Sequence, residues 1–470
     1  METVLVKEDK DSFRDKIATV DQEGNRVWMY PKKPKGKLTS YRNYVSYFFL
    51  ALFFLAPFIR IQGEPLILIN ILERHFVFFG VVFWPQDFHI FLIGMITFVI
   101  FIVLFTVIYG RIFCGWACPQ TIFMEMIFRK MEYWIEGDWH AQQALDKSLL
   151  SVNKFLKKIA KHSVFLLISF AISNLFLTYI IGTNQWWHIV TDKPENHSGG
   201  LSSILIFTVI FYFVYARFRE QICTTICPYG RLQGVLLDKN SIVVAYDYLR
   251  GEHRGRIRKG EDRTIIQKGD CIDCYRCVQV CPTGIDIRNG VQLECINCTA
   301  CIDECNEVMT KIGFSKGLIR YASEENIAQK KSFKWTKKII GYSVVLVLLI
   351  GSLCILLVTR SDLESSILRT PGMLYQDQGN NNYSNLYNLK IINKTHNDIP
   401  VHLKLENIKG EIRTVGKELS VKPKSVAEGA IFIVLNGAEI KKIKTRIEIG
   451  VYEGNRLIEK VNTTFVGPVN

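Results

Sequence analysis

Eight of the thirteen cysteines fall in two short runs. Cys271, Cys274, Cys277 and Cys281, the last followed by Pro282, form a C-x2-C-x2-C-x3-C-P run. Cys295, Cys298, Cys301 and Cys305 repeat the cysteine spacing. Two-residue gaps let a tight loop present three thiolates to three corners of a cube of iron and sulfide, and the fourth cysteine of each run reaches the other cube. The spacing therefore predicts two 4Fe-4S clusters, one on Cys271, Cys274, Cys277 and Cys305 and the other on Cys295, Cys298, Cys301 and Cys281. Structural zinc is the competing reading of four-cysteine ligation. Zinc ribbons use two separated C-x2-C pairs, however, and need neither a third cysteine two residues on nor a tandem copy.

A second constellation is Cys114 with Cys118-Pro119 and Cys223 with Cys227-Pro228, two C-x3-C-P pairs that look like internal copies. Cysteines four apart share one face of a helix, so each pair can aim two sulfurs in one direction, and the proline can end or kink that turn. Soft thiolates favour Cu(I), zinc and iron-sulfur clusters. Cys114, Cys118, Cys223 and Cys227 are expected to meet and to bind and reduce a metal ion. A third cluster and a reversible disulfide stay open as alternatives. Cys354, alone in an apolar run, reads as packing. Other polar candidates are weaker. His188, beside Trp186 and Trp187, reads as part of an interface anchor, and His75 and His89 are not placed like axial haem ligands. Arg254, Arg256, Arg258 and Lys259 read as a solvated or lipid-facing patch, and Glu125 and Glu132 as surface charges.

These residues need elements to position them. The chain is 49% hydrophobic, which excludes a disordered protein, and its apolar residues collect in blocks separated by basic stretches, as in a membrane protein. Five segments could span a bilayer: 44–61, 88–109, 162–181, 201–216 and 339–358. Lys32, Lys33, Lys35, Lys37 and Arg42 precede the first. The loops at 110–161 and 217–338 are also basic, whereas Arg60, Arg74 and Lys193 are all the opposite loops offer. Positive loops stay inside, so the N-terminus and twelve of the thirteen cysteines are expected in the cytoplasm of a bacterial inner membrane, where thiols remain reduced, and the C-terminus in the periplasm. The first forty residues are charged throughout, so no cleavable leader is expected. The net charge of +14 is absorbed by these flanks, and no nucleic-acid motif accompanies it.

The tail alternates apolar and polar residues between Asn, Gly and Pro, the pattern of short strands in a small β-sandwich. The resulting architecture is a polytopic α-helical membrane protein with an inserted ferredoxin domain of bacterial two-cluster type and a C-terminal all-β immunoglobulin-like sandwich. Its boundaries are 1–41 (cytoplasmic segment), 42–216 (four transmembrane helices), 217–338 (cluster domain), 339–359 (fifth helix) and 360–470 (periplasmic β domain).

Residues 268–308 resemble bacterial two-cluster ferredoxins, with Asn306 where that family usually has proline. Across nearly the whole chain the order of features resembles the FixG/CcoG family of cytochrome c oxidase accessory proteins. The likeness rests on Gly110-Arg-Ile-Phe-Cys-Gly-Trp-Ala-Cys-Pro-Gln-Thr121, on Cys227-Pro-Tyr-Gly-Arg-Leu-Gln-Gly234, on the double cluster motif and on the fifth span with its outer β domain. The resemblance implies an oxidoreductase that reduces Cu(II) to Cu(I) for assembly of a cbb3-type oxidase. It implies oxidase subunits or copper-delivery factors as partners, and it leaves the electron donor and a homodimer open. Two other readings compete. One is a quinol-linked ferredoxin serving another partner, and the other a non-enzymatic assembly scaffold.

Overall fold

The computed structural model describes residues 18–468, apart from 21–22, 24, 73–74, 259–262, 264, 331–334, 373, 396, 416–419 and 424; Arg74 and Lys259 lie outside the described residues. These residues fall into two compact units, one made of 18–61, 65–79 and 85–351, the other of 62–64, 80–84 and 352–468. The segments expected as separate at 1–41, 42–216 and 217–338 thus contribute to a single unit.

Among the described residues, four helical stretches are long and apolar enough to cross a bilayer: Pro85–Tyr109, Val152–Ile181, Pro194–Phe218 and Lys337–Val358. A spanning helix satisfies its backbone internally and turns apolar side chains to lipid, and Phe98, Phe101, Leu205 and Val347 all point outward. The fifth expected span, at 44–61, differs in its bounds. Its helix, α1 (Lys37–Leu55), begins earlier and stops earlier, and a short strand follows at Arg60–Ile61. The physical reason is a cap. The Asp303 carboxylate accepts from the backbone N–H of Leu38 (3.2 Å) and of Thr39 (2.7 Å), and from Thr39 Oγ1 (2.8 Å), filling the donors that open a helix. Gly36 is required there, since a Cβ would lie 2.3 Å from the Asp303 side chain. The first turns of α1 therefore bury Thr39, Arg42 and Ser46 on one face, while Tyr41, Tyr44 and Phe48 stay exposed.

The remaining elements of this unit follow in order. Helix α2 (Phe88–Tyr109) coincides with the expected span. After it come α3 (Ile112–Trp116) and α4 (Pro119–Ile122), the latter running through a π-helical segment (Phe123–Phe128) into α5 (Arg129–Ile135). Next are α6 (Val152–Ile181), α7 (Ser198–Phe213) and α8 (Pro228–Leu236). In the cysteine-rich region, β1 (Val243–Tyr246) pairs antiparallel with β2 (Ile319–Ala322). With α9 (Ala300–Lys311) between them, these strands enclose a core of Val244, Ile285, Ile302, Met309 and Ile319. Helix α10 (Lys337–Val358) is divided between the two units.

Glu125 and Glu132 are not surface charges. Glu132 is 3% exposed, receives Lys161 Nζ at 3.4 Å and is bonded by Arg219; Arg129, 1% exposed, pairs with Glu125 at 2.5 Å and with Glu220 at 3.6 Å. Lys161 also reaches Glu136 at 2.8 Å, and Arg26 reaches Glu220 at 3.1 Å. Buried charges persist only when paired, and this network ties α5, α6 and the Arg219 turn together. Burial alone would raise the Glu132 carboxyl, but Arg219 and Lys161 outweigh it and hold it below its ordinary value.

The C-terminal unit contains β3 (Leu363–Arg369), β4 (Asn382–Asn393), β5 (Ile399–Leu405), β6 (Gly410–Thr414), β7 (Val426–Asn436), β8 (Lys444–Glu453) and β9 (Arg456–Val466). One antiparallel sheet runs β6-β7-β4-β3, with Gln376–Asp377 added beside β4. The other runs from Ser420–Val421 through β5 and β8 to β9. Alternate residues point inward, so Tyr387, Leu389, Ile431 and Ile433 from one sheet share a core with Val401, Ile447, Ile449 and Phe465 from the other. The Tyr387 hydroxyl donates to the Thr464 carbonyl at 3.0 Å, joining the two sheets by a buried hydrogen bond.

Glu132→Gln should leave Arg219 without its carboxylate and Lys161 with Glu136 alone, and destabilise the protein by about 3–5 kcal/mol, read as a lower unfolding midpoint in detergent. The native contribution is present above the ordinary carboxylate pKa and is lost as pH falls through the lowered one. The gap between wild type and variant should therefore close in acid.

Candidate metal centres

The two cysteine loops are built alike. Asp273 and Tyr275 in the first, and Asn297 and Thr299 in the second, have positive φ, at matching places between the first three cysteines. Left-handed residues curl a chain tightly, and their recurrence folds each C-x2-C-x2-C stretch around a hollow. One hollow, of about 360 Å³, is lined by Cys271, Cys274, Cys277 and Cys305 with Tyr246 and Leu318. The other, of about 350 Å³, is lined by Cys281, Cys295, Cys298 and Cys301, with Cys277 at its edge. The last cysteine of each run faces the hollow of the other.

Among the described residues, no three His, Cys, Asp or Glu side chains converge on a point as a single ion needs. The thiols surround volumes, which fits a cluster with several metal corners better than one tetrahedral zinc. Burial pushes the Cys295 and Cys305 thiols up to about 12 and Cys298 to about 11, so these sulfurs become thiolates by exchanging a proton for metal.

The C-x3-C-P pairs differ from the expected single helical face. Cys114 lies within α3, and Cys118 caps the next helix, with extended backbone and Pro119 at its first position. Cys223 sits in a π-helical segment, Ile222–Ile226, and Cys227 caps α8, with Pro228 first. Each proline thus starts a helix instead of ending one, because the first helical position needs no N–H donor and proline's fixed φ suits it. The four thiols nevertheless share one electrostatic neighbourhood. Cys227 acts on Cys114 and Cys118, and both Cys118 and Cys114 act on Cys223. Burial raises Cys114 to about 11 and Cys223 to about 12, and Arg111 opposes both shifts.

The two centres share a wall. Cys114 packs with Val280, Ile296, Cys298 and Ala300 in one small core. A Cβ on Gly115 would lie 2.3 Å from the Ile296 carbonyl oxygen, so the backbones touch where glycine stands. Trp116 Nε1 donates to the Asn297 carbonyl at 3.2 Å, and Arg42 Nε donates to the Gly115 carbonyl at 2.8 Å. Arg111 Nη1 donates to the Leu293 carbonyl, and Gln233 Oε1 accepts from Arg111 Nε at 3.2 Å and from Cys114 Sγ at 2.9 Å.

Arg111, Gly115, Asn297 and Gln233 were not singled out from the sequence as functional. The available signal was a lone cation placed between an apolar span and a cysteine. Other flagged residues lie apart. His188 is exposed, its ring 3.6 Å from Asp192, and Arg254 pairs with Glu252 at 2.7 Å. Cys354, expected as packing, faces outward from α10.

Comparison with known families agrees with this chemistry. Residues 218–324 match the 4Fe-4S dicluster domain family, 91–141 a 4Fe-4S binding domain family, and 353–468 the family described as an IG-like fold at the C-terminal of FixG. Together with the spanning helices, these matches define a membrane-bound iron-sulfur electron-transfer protein. The chain is 37% identical over 308 residues to the nitrogen fixation protein FixG of Rhizobium meliloti, covering 64% of this chain and 58% of that protein. It is 33% identical over 383 residues to the protein RdxB of Cereibacter sphaeroides, covering 78% and 79%, and 36% identical over 303 residues to RdxA of the same organism, covering 63% and 62%. The chain belongs to the FixG/RdxB family.

Gly115→Ala should force the two loops apart and cost about 1–3 kcal/mol. The check is a thermal midpoint lowered relative to wild type, with Gly341→Ala not lowering it, since nothing lies within 4 Å of a Cβ there.

Proposed function

We infer that the protein carries two 4Fe-4S clusters, one held by Cys271, Cys274, Cys277 and Cys305 and the other by Cys281, Cys295, Cys298 and Cys301. In the same reading it reduces Cu(II) to Cu(I) at Cys114, Cys118, Cys223 and Cys227. The observation that carries it is the shared wall, where Gly115 and Trp116 touch the loop bearing Cys295 and Cys298. When bound, the clusters supply single electrons, matching the one-electron change of copper.

The chain's own residues explain the choice of substrate. Buried, closely placed thiols are soft donors that favour Cu(I) over Cu(II), which makes the cupric ion easier to reduce. With α1 counted as the first of five crossings, the basic loops favour a cytoplasmic N-terminus and cluster domain and a periplasmic C-terminal domain, which serves as a docking surface for oxidase subunits or copper-delivery factors. The resemblance to FixG/CcoG proteins supports a destination in assembly of a cbb3-type oxidase.

One observation favours a second reading. The 4Fe-4S binding domain match at 91–141 includes Cys114 and Cys118, consistent with iron at the thiol quartet itself. A single experiment separates the two. Anaerobically reduced protein is mixed with stoichiometric Cu(II) and a Cu(I) chelator, and the cluster absorbance is followed. Wild type should reoxidise with matching Cu(I). Cys114→Ser and Cys227→Ser should keep the cluster spectrum and lose copper reduction; loss of cluster absorbance in both variants would establish the second reading.

A further inference from the structure

Arg111 is 2% exposed, and among the described residues no carboxylate pairs with it. Of the other deeply buried arginines near the bundle, Arg129 has Glu125 and Arg219 has Glu132, while Arg42, 3% exposed, donates to the Gly115 carbonyl. An uncompensated buried cation is expensive, so its position calls for negative charge supplied some other way. The guanidinium is held by two bonds. It donates to the Leu293 carbonyl and to Gln233 Oε1, and Gly230 leaves it room, since a Cβ there would lie 2.9 Å from Arg111 Nη2. Gln233 is itself fully buried, and its amide donates to Thr106 Oγ1 at 3.2 Å, which aims its oxygen at Arg111 and Cys114.

Two groups of thiols surround this cation. Cys114 shares the Gln233 oxygen with it and packs against Cys298 of the second hollow, and a Cβ on Gly230 would meet both Arg111 Nη2, at 2.9 Å, and the Cys223 carbonyl, at 2.6 Å. Leu293, which it holds, is two residues from Cys295. Thiolates bound to metal are the anions that this site otherwise lacks.

We propose that Arg111 is a positioning residue, the shared counter-charge of the two metal-thiolate centres, held by Gln233 so that its charge stabilises the reduced form of the cluster on Cys281, Cys295, Cys298 and Cys301. Reduction adds negative charge to a cluster, and a fixed cation beside it favours that state. The proposal rests on the iron-sulfur assignment of that hollow and not on copper being the substrate.

The test is an EPR-monitored redox titration of the intact, detergent-purified protein. Arg111→Gln should lower the midpoint of one cluster by about tenfold in its reduction equilibrium, ~59 mV for a one-electron couple, and leave the other midpoint unchanged. Arg111→Lys, which keeps the charge, should restore most of the difference. Gln233→Glu, nearly isosteric, places a carboxylate against Arg111 and should produce the same drop with the arginine still present. It is therefore the deciding variant should Arg111→Gln fail to accumulate. Unchanged midpoints, or Lys behaving as Gln does, would overturn the proposal and leave Arg111 as a structural tie. Wild-type protein without two cluster signals would instead defeat the cluster assignment.

Discussion

The approach of two backbones at Gly115 and Ile296 is the contact on which the functional arrangement depends. A side chain at 115 would occupy the space of a carbonyl oxygen, so this position accepts no Cβ while the loops remain in contact. Around that point, each neighbouring bond runs from one loop to the other or holds one of them in place. Trp116 reaches the Asn297 carbonyl, Arg42 holds the Gly115 carbonyl, and Arg111 holds the Leu293 carbonyl. These are all bonds to backbone. They set the distance between the loops once both are folded.

A second layer of constraint keeps the helices in place beneath these loops. Charges buried at the ends of apolar helices are costly, and the unit meets that cost with a closed set of partners contributed by α5, α6, the N-terminal segment and the Arg219 turn. Asp303 extends the same logic to α1, because the helix bearing Cys301 and Cys305 supplies the carboxylate that starts it. The bundle and the cysteine-rich region are thereby cross-linked by polar bonds as well as by packing.

Much of this was legible in the sequence where a pattern is local. The apolar run at 88–109 predicts α2 with matching ends, and two- and three-residue gaps mark the cysteine runs, because a tight loop around a cluster leaves little freedom in spacing. The start of α1 was not legible, since its cap lies far along the chain at Asp303. Glu132 reads as a surface charge for the same reason, its partners Lys161 and Arg219 being remote in sequence. The proline after each C-x3-C pair was visible, but its role depends on which side of it the helix lies. Arg111 belongs to a motif visible as a string of letters, yet only three dimensions show that no acid faces it.

The matching left-handed residues in the two cysteine loops bear on how the molecule matures. Asp273, Tyr275, Asn297 and Thr299 are non-glycine residues in a backbone region that normally costs energy, and in a bare chain little would hold them there. Acquisition of iron is then what stiffens the 295–298 stretch, and Gly115, Trp116 and Arg111 take their positions from that stretch. Filling the cluster hollows and shaping the thiol pocket become successive stages of one assembly line, so a chain starved of iron would be left with the loop bearing Cys114 and Cys118 unfinished.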